Sequence, residues 1–397
     1  MRFKAATLAG VALITVTLMG CAPPSRAGVN TIKPDVRSGY RLAVSPWPCA
    51  EHDAQHTSRT RLVLPSTAPV LRWSSQKANE PEPAIAPDGT LYMSGFDSRT
   101  LAIDGGTGRV KWETAVESAW VPTVLANGNI VISSAEAVLI DQQAAVTMTD
   151  SSGRKLWHVR FGKPVFKPEE GLGVSSPTIG ADGTIYVAID SQGLFALDPV
   201  DGRVLWTFAA SNQLAQPTLG QDGTIYELED SAGLAALRPD GSVRWRVKSE
   251  AWPLTPLAVG PDGTVYVQEP DALRAITPDG RDRWRLKLGV QGALGIGSDG
   301  TVYAPDPGNR LTAVSPEGRV RWVVKHGSHA ALVDGAGRVM IQDGGTLHVF
   351  KPDGSQLWQA DVGEGTGSMP VVGPGGTIYI CNDAGPGSVN AWGGARK

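Results

Sequence analysis

The 397-residue sequence predicts an all-β fold, an eight-bladed β-propeller of four-stranded antiparallel blades whose ring is closed by strands from both chain ends. Tryptophans recur at Trp73, Trp112, Trp157, Trp206, Trp245, Trp284, Trp322 and Trp358, mostly 36 to 39 residues apart, with two intervals of 45 and 49. An Asp-Gly-Thr turn recurs in step at 88–90, 182–184, 222–224, 262–264 and 299–301, with altered copies at 127–129, 335–337 and 375–377. Between these marks run short apolar or alternating segments, and Gly, Pro and Asp fall too often for a helix to grow. One sheet of about forty residues cannot bury both its faces, so each copy must pack on the next, and this period signals radial blades.

The stretch 177–206 shows the whole unit. A short apolar strand precedes the turn at Asp182-Gly183, and a second strand runs from Thr184 to Ile189. Gly193 turns the chain into a third strand, Leu194 to Leu197. After Asp201-Gly202 the last strand ends at Trp206. Aspartate in such turns caps its own backbone, so Asp88, Asp182, Asp222, Asp262 and Asp299 read as turn formers and not as catalytic acids. The count also indicates how the ring closes. The chain ends after strands at 378–381 and 388–392 without a fourth, while a spare fourth strand lies within Leu62 to Trp73. Building blade 8 from both ends removes two open sheet edges.

At the start of the chain, Arg2 and Lys4 precede an apolar run from Ala5 to Met19, too short and too rich in small residues for a comfortable membrane span. Residues 1–20 are therefore expected to be an export signal. Leu18-Met19-Gly20-Cys21 resembles the bacterial lipobox, which implies cleavage before Cys21 and lipid attachment to it; the alternative is an ordinary signal that contains a cysteine. Ala22, where an aspartate would imply retention in the inner membrane, points to the outer membrane. Residues 21–45 are expected to be a flexible tether and 46–397 the propeller. Lys and Arg number 36 against 39 Asp and Glu, and no basic run stands out, so nucleic acid is not an expected partner.

Two further cysteines, Cys49 and Cys381, stand near the ends that are to share blade 8. In an exported chain a disulfide between them would tie the ring at its seam; two buried thiols are the alternative. Blade 2 holds extra residues around 135–146, and the link from Trp157 to Pro177 spans 20 positions where Trp206 to Pro217 spans 11. Both insertions should emerge on one face. Phe161, Lys163, Val165, Phe166, Lys167, Glu169, Glu170 and Leu172 are the expected partner-binding lip; a neutral insertion packed on the rim is the other reading.

Residues 102–112, Ala-Ile-Asp-Gly-Gly-Thr-Gly-Arg-Val-Lys-Trp, resemble the tryptophan docking motif of the pyrroloquinoline quinone (PQQ)-like repeat family, Ala-x-Asp-x-x-Thr-Gly-x-x-x-Trp. The resemblance implies that the alanine and tryptophan of one blade pack on the glycine turn of its neighbour, a blade-docking role for all eight tryptophans. Trp47-Pro48 followed by Asp53 and Thr57 is similar to that family's lead-in. Size, lipobox and blade count together resemble the BamB family of propeller lipoproteins.

The same ring serves enzymes and scaffolds. A quinone dehydrogenase of this type would carry a Cys-Cys pair and a long funnel-capping insertion, and this chain has neither. No Gly-x-Ser-x-Gly elbow, phosphate loop or Cys-x-x-Cys appears. The pairs His52/His56 and His326/His329 have metal-ligand spacing only on a helix. Trp120 and Trp252, just before innermost strands, either face the funnel or are buried between blades. The expected function is a lipid-anchored, monomeric, non-catalytic scaffold that binds an envelope or outer-membrane protein, without catalytic, cofactor-binding or metal residues. The alternatives are a PQQ-dependent dehydrogenase and a small-molecule or glycan-binding propeller.

Overall fold

Every repeat in the computed structural model is a four-stranded antiparallel sheet, and there are eight of them. The structure describes residues 38–76, 83–94, 99–116, 120–138, 141–165, 173–209, 215–229, 233–251, 257–327, 330–363, 369–382 and 388–394. Blade 3 is typical: Thr178–Ile179 lies innermost, followed outward by Ile185–Ile189, Gly193–Leu197 and Val204–Phe208. The second strand is buried throughout, because neighbouring blades cover both its faces, and the outermost strand is largely exposed. Blade 8 joins Val371–Val372, Ile378–Asn382 and Ser388–Gly393 to the amino-terminal strand Val70–Ser75, with Leu71 opposite Trp392 and Trp73 opposite Ala391. The shared closing blade is as the sequence predicts.

Asp-Gly-Thr makes the turn between the first and second strands for a local reason. In all five copies one aspartate oxygen accepts the threonine N–H at 2.9–3.1 Å. The intervening glycines sit at φ of 77 to 87°, where a side chain is strained. In blades 1, 4, 5 and 6 a cation just before the docking tryptophan, Lys111, Arg244, Arg283 or Arg321, reaches back to this aspartate. Turn and outermost strand are thereby fastened within one blade.

The tryptophans fasten one blade to the next. Each indole N–H donates to a backbone carbonyl at 2.8–3.1 Å: Trp73 to Gly105, Trp112 to Ser151, Trp157 to Pro199, Trp206 to Pro239, Trp245 to Pro278, Trp284 to Pro316, Trp322 to Pro352 and Trp358 to Pro65. Under seven of the rings, all but that of Trp358, lies a turn glycine of the following blade; a Cβ on Gly280 would stand 2.8 Å from Trp245 Cδ2. Within the blade a second ring completes the wedge. Tyr92, Tyr186, Tyr226, Tyr266, Tyr303 and Tyr379 lie 5.7–5.9 Å from their tryptophans, centroid to centroid, in tilted contacts.

Two boundaries differ from expectation. Pairing begins before residue 46: Ala126 and Asn127 N–H donate to the carbonyls of Arg41 and Gly39, and Ala43 N–H donates to Val124, all on blade 2. The extra residues of blade 2 are also not a loose loop. They lengthen the hairpin to Ile130–Val138 and Asp141–Thr149, and the outermost strand to Lys155–Val165. Gln142 pairs with Val165, so the two insertions do lie side by side.

Candidate functional site

The axis of the ring is occupied by the chain's own amino-terminal stretch. Six innermost strands turn an N–H toward the axis, and residues 47–58 supply the acceptors. Ile85 and Val124, on blades 1 and 2, donate to the carbonyls of Trp47 and Pro48. Leu219 and Val259, on blades 4 and 5, donate to Ala54 and Gln55; Ile296 and Val333, on blades 6 and 7, donate to Thr57 and Ser58. All six bonds measure 2.6–2.9 Å, and they pair backbone groups that would otherwise be left open at a sheet edge.

Such a path requires sharp local bends. Glu51, His52, His56 and Ser58 all have positive φ, between 47 and 77°, a conformation that costs of order 1–3 kcal/mol per non-glycine residue. Asp53 pins the bend: its carboxylate accepts the Thr57 N–H at 2.9 Å and the Thr57 hydroxyl at 2.6 Å. Burial pushes the Asp53 pKa up, but hydrogen bonds and charge from His52, with the Thr57 bonds, outweigh it and hold the carboxyl below its usual range. The Asp53/Thr57 spacing of the lead-in is thus the signature of an axial clasp. Trp47 is fully buried and meets His52 edge-on at 5.0 Å. Burial depresses the His56 pKa to about 4, and its Nδ1 lies 2.9 Å from the Thr218 hydroxyl.

Beside the clasp lies a cavity of about 240 Å³ lined by Glu51, His56, Trp120, Val174, Asp190 and Gln216, among others. Trp120 is 43% exposed, which places the indole at this cavity and not between blades. Trp252 and His329 lie outside the described residues, as does Cys21. Among the described residues, neither His52 nor His56 falls in a His/Cys/Asp/Glu grouping that could hold a metal, and His326 is brought together instead with Asp343 and His348.

One residue of the expected lip is not on the surface. Phe161 is 3% exposed, pairs with Ala144 and packs on Phe195 of blade 3 with centroids 5.0 Å apart, so it is a core residue. Lys163 and Val165 belong to the lengthened outermost strand. Phe166, Lys167, Glu169, Glu170 and Leu172 lie outside the described residues. Cys49 and Cys381 are both buried thiols. Trp47 and Pro48, just before Cys49, are bonded to blades 1 and 2, whereas Cys381 pairs with Val389 in blade 8.

Glu227 could have been found by aligning the repeats. It stands mid-strand where the same register gives Val187 and Val267, is 0% exposed, and has no hydrogen-bond partner for either carboxylate oxygen. Burial, with nearby Glu229, raises its pKa well above the carboxylate range.

Comparison with known proteins places this geometry in context. The chain is 26% identical over 164 residues to the outer membrane protein assembly factor BamB of Nitrosomonas eutropha, a match covering 40% of this chain and 36% of that protein. The crystal structure of BamB from Moraxella catarrhalis superposes with a TM-score of 0.63 at 16% identity, over 82% of this chain and 99% of that one. Quinohemoprotein alcohol dehydrogenase from Comamonas testosteroni gives 0.70 at 15% identity, over 92% and 83%. At such identities the two structures speak for the fold alone. The family model described as outer membrane protein assembly factor BamB matches residues 142–239 and 230–391, more than half of the sequence, and the chain belongs to that family.

Proposed function

We propose that this chain is a lipid-anchored, non-catalytic propeller that binds other proteins during outer-membrane protein assembly, held through Cys21 at the periplasmic face of the outer membrane. The family match supports the assembly role. The observation that carries the non-catalytic part is the clasp: residues 47–58 take up the axis-facing edges of six blades.

The fit of a quinone can be judged from the residues present. Pyrroloquinoline quinone is a tricarboxylate and requires cationic side chains. The cavity beside the clasp carries the acids Glu51 and Asp190 in its wall, with no Lys or Arg among its described lining residues. These residues do not fit that group.

Partner binding falls to the rim and the blade edges. Outermost strands present unpaired backbone beside exposed Leu71, Val204, Leu205, Val243, Val320 and Val323, a surface to which an extended strand can add. The hairpin of blade 2 is built from strands of nine residues, where the corresponding strands of the other blades have five or six. Affinity capture with the intact lipoprotein is expected to recover an outer-membrane protein, and replacing residues 137–142 by Asn-Gly is expected to weaken recovery. Unchanged recovery would remove the hairpin from the interface. Quinone absorbance, or dye-linked alcohol oxidation with added quinone and calcium, would overturn the scaffold reading.

Exposed Trp120 on the cavity wall favours a second reading, in which a small neutral ligand such as a sugar stacks on the indole. A thermal shift with envelope sugars that disappears in Trp120→Ala would support it.

A further inference from the structure

We infer that blade 7 carries a divalent transition-metal site built from His326, Asp343 and His348. One ligand atom from each lies within 4.8 Å of the others. His326 follows the outermost strand of blade 6, Asp343 ends the second strand of blade 7, and His348 is on the third, so the topology and not the sequence spacing assembles the group. His326 Nδ1 stands 3.4 Å from Asp343 Oδ2, and the two imidazoles stack at 4.1 Å. His348 is 5% exposed, and its Nδ1 has no hydrogen-bond partner. A buried polar atom left open is costly unless something else satisfies it.

Blade 5 shows what these positions do when no metal is needed. Its strands share the register of blade 7, so Glu269 corresponds to Asp343 and Arg274 to His348. Ser249 stands four residues past its docking tryptophan, as His326 does. In blade 5 the Arg274 guanidinium pairs with Glu269 at 3.3 Å, and the Ser249 hydroxyl donates to the same carboxylate at 3.3 Å. Arg285 also pairs with Glu269, at 2.8 Å; blade 7 keeps the acid, has Gln359 at the Arg285 position and puts imidazoles at the other two. A metal ion takes the place of the guanidinium charge.

The donor set fixes the class of ion. Two imidazoles and one carboxylate suit Zn²⁺, Co²⁺, Ni²⁺ or Cu²⁺, whereas Ca²⁺ and Mg²⁺ prefer all-oxygen sites. Asn309 Nδ2 lies 3.4 Å from each Asp343 oxygen and orients the carboxylate. His326 is the more exposed ring and turns off the face of His348 to aim its nitrogen at the ion. An adjoining cavity of about 230 Å³, lined by Asp306, Asn309, Gln342 and Gly344 among others, leaves room for water on the remaining coordination positions.

The test is titration of the untagged, chelator-stripped full chain with Co²⁺, followed by visible spectroscopy and competition with Zn²⁺. The expected result is one equivalent bound, d–d bands of a nitrogen and oxygen site, and their loss on adding Zn²⁺. His326→Ala, a change at a partly exposed position, is expected to weaken binding by about tenfold or more. His348→Arg rebuilds the blade 5 pairing and is expected to abolish binding while the protein stays folded, as read by circular dichroism. A wild-type chain that shows no Co²⁺ spectrum overturns the site, and so does a spectrum unchanged in both variants.

Discussion

The indole of Trp358 donates to the carbonyl of Pro65 at 2.8 Å, a hydrogen bond that joins residues 293 positions apart. The other seven docking tryptophans reach the strand-connecting turn of the next blade. This one reaches the lead-in to the shared blade, where Leu64 is also held: its N–H donates to Asp334 at 2.9 Å, and Arg338 donates to its carbonyl. The seam is thus latched at the same position in the repeat as every other joint. Trp358→Phe keeps the ring and loses the donor, and a loss of about 1–2 kcal/mol is expected. Urea unfolding should show a lower midpoint at unchanged slope; an unmoved midpoint would show that the bond contributes nothing to closure.

Glycine placement gives a second measurable consequence. Gly280 has φ +85°, and a Cβ there meets Trp245 at 2.8 Å, whereas Gly363, at φ +81°, has nothing within 4 Å. Both alanine substitutions cost about 1 kcal/mol or more in backbone strain, and Gly280→Ala adds the displaced indole. Its thermal midpoint is expected to fall clearly below that of Gly363→Ala. Equal midpoints would refute the close docking.

His56 makes the clasp sensitive to acid. Burial holds its folded-state pKa at about 4, against 6.5 for the ordinary group, so between these values the unfolded chain binds the proton and the folded one does not. Stability from this group is complete above about pH 6.5 and falls as the pH drops toward 4, by on the order of 3 kcal/mol. His56→Asn is expected to flatten that part of the stability profile, measured by denaturant unfolding at stepped pH.

Glu227 acts in the opposite sense. Its folded-state pKa is raised, so above the ordinary carboxylate range the folded chain holds a proton that the unfolded chain releases, and stability declines as pH rises. Glu227→Val, which copies blades 3 and 5, is expected to gain about 1–3 kcal/mol at neutral pH. A destabilised variant would show that the carboxyl has a partner in solution.

The seam cysteines are open to a direct measurement. Burial, then the charges of Asp53 and Glu51, push the Cys49 thiol well above its ordinary pKa, which disfavours the thiolate needed for exchange. Alkylation after unfolding without reductant is therefore expected to trap both Cys49 and Cys381. A mass change on reduction would establish the cystine instead.

Blade number, closure and wedge were legible because each copy repeats the same local chemistry: Asp182-Gly183-Thr184 caps itself, and Trp206 always finds a glycine turn. The axial clasp shows in the sequence only as the lead-in spacing of Asp53 and Thr57, which does not disclose its path. Its bonds join single backbone groups of Trp47, Ala54 or Thr57 to strands far away in sequence, and backbone acceptors leave no residue pattern. Phe161 was misplaced on the rim because an insertion reads as a loop, whereas here it extends a hairpin and keeps the inward face of its strand. His348 leaves no signal in the sequence because spacing along the chain does not show what cross-strand register sets beside Asp343.

The stretch 47–58 is made before every strand that it binds, and half of its binding partners, on blades 5 to 7, come only in the second half of the chain. The far end of the stretch, at Thr57 and Ser58, therefore stays unpaired until blades 6 and 7 have been delivered. Contacts of such sequence separation make closure of the hub a slow step. A copy cut short before Val333 leaves the acceptor of Ser58 unanswered, which makes completeness of the chain a condition for the hub at its centre to set.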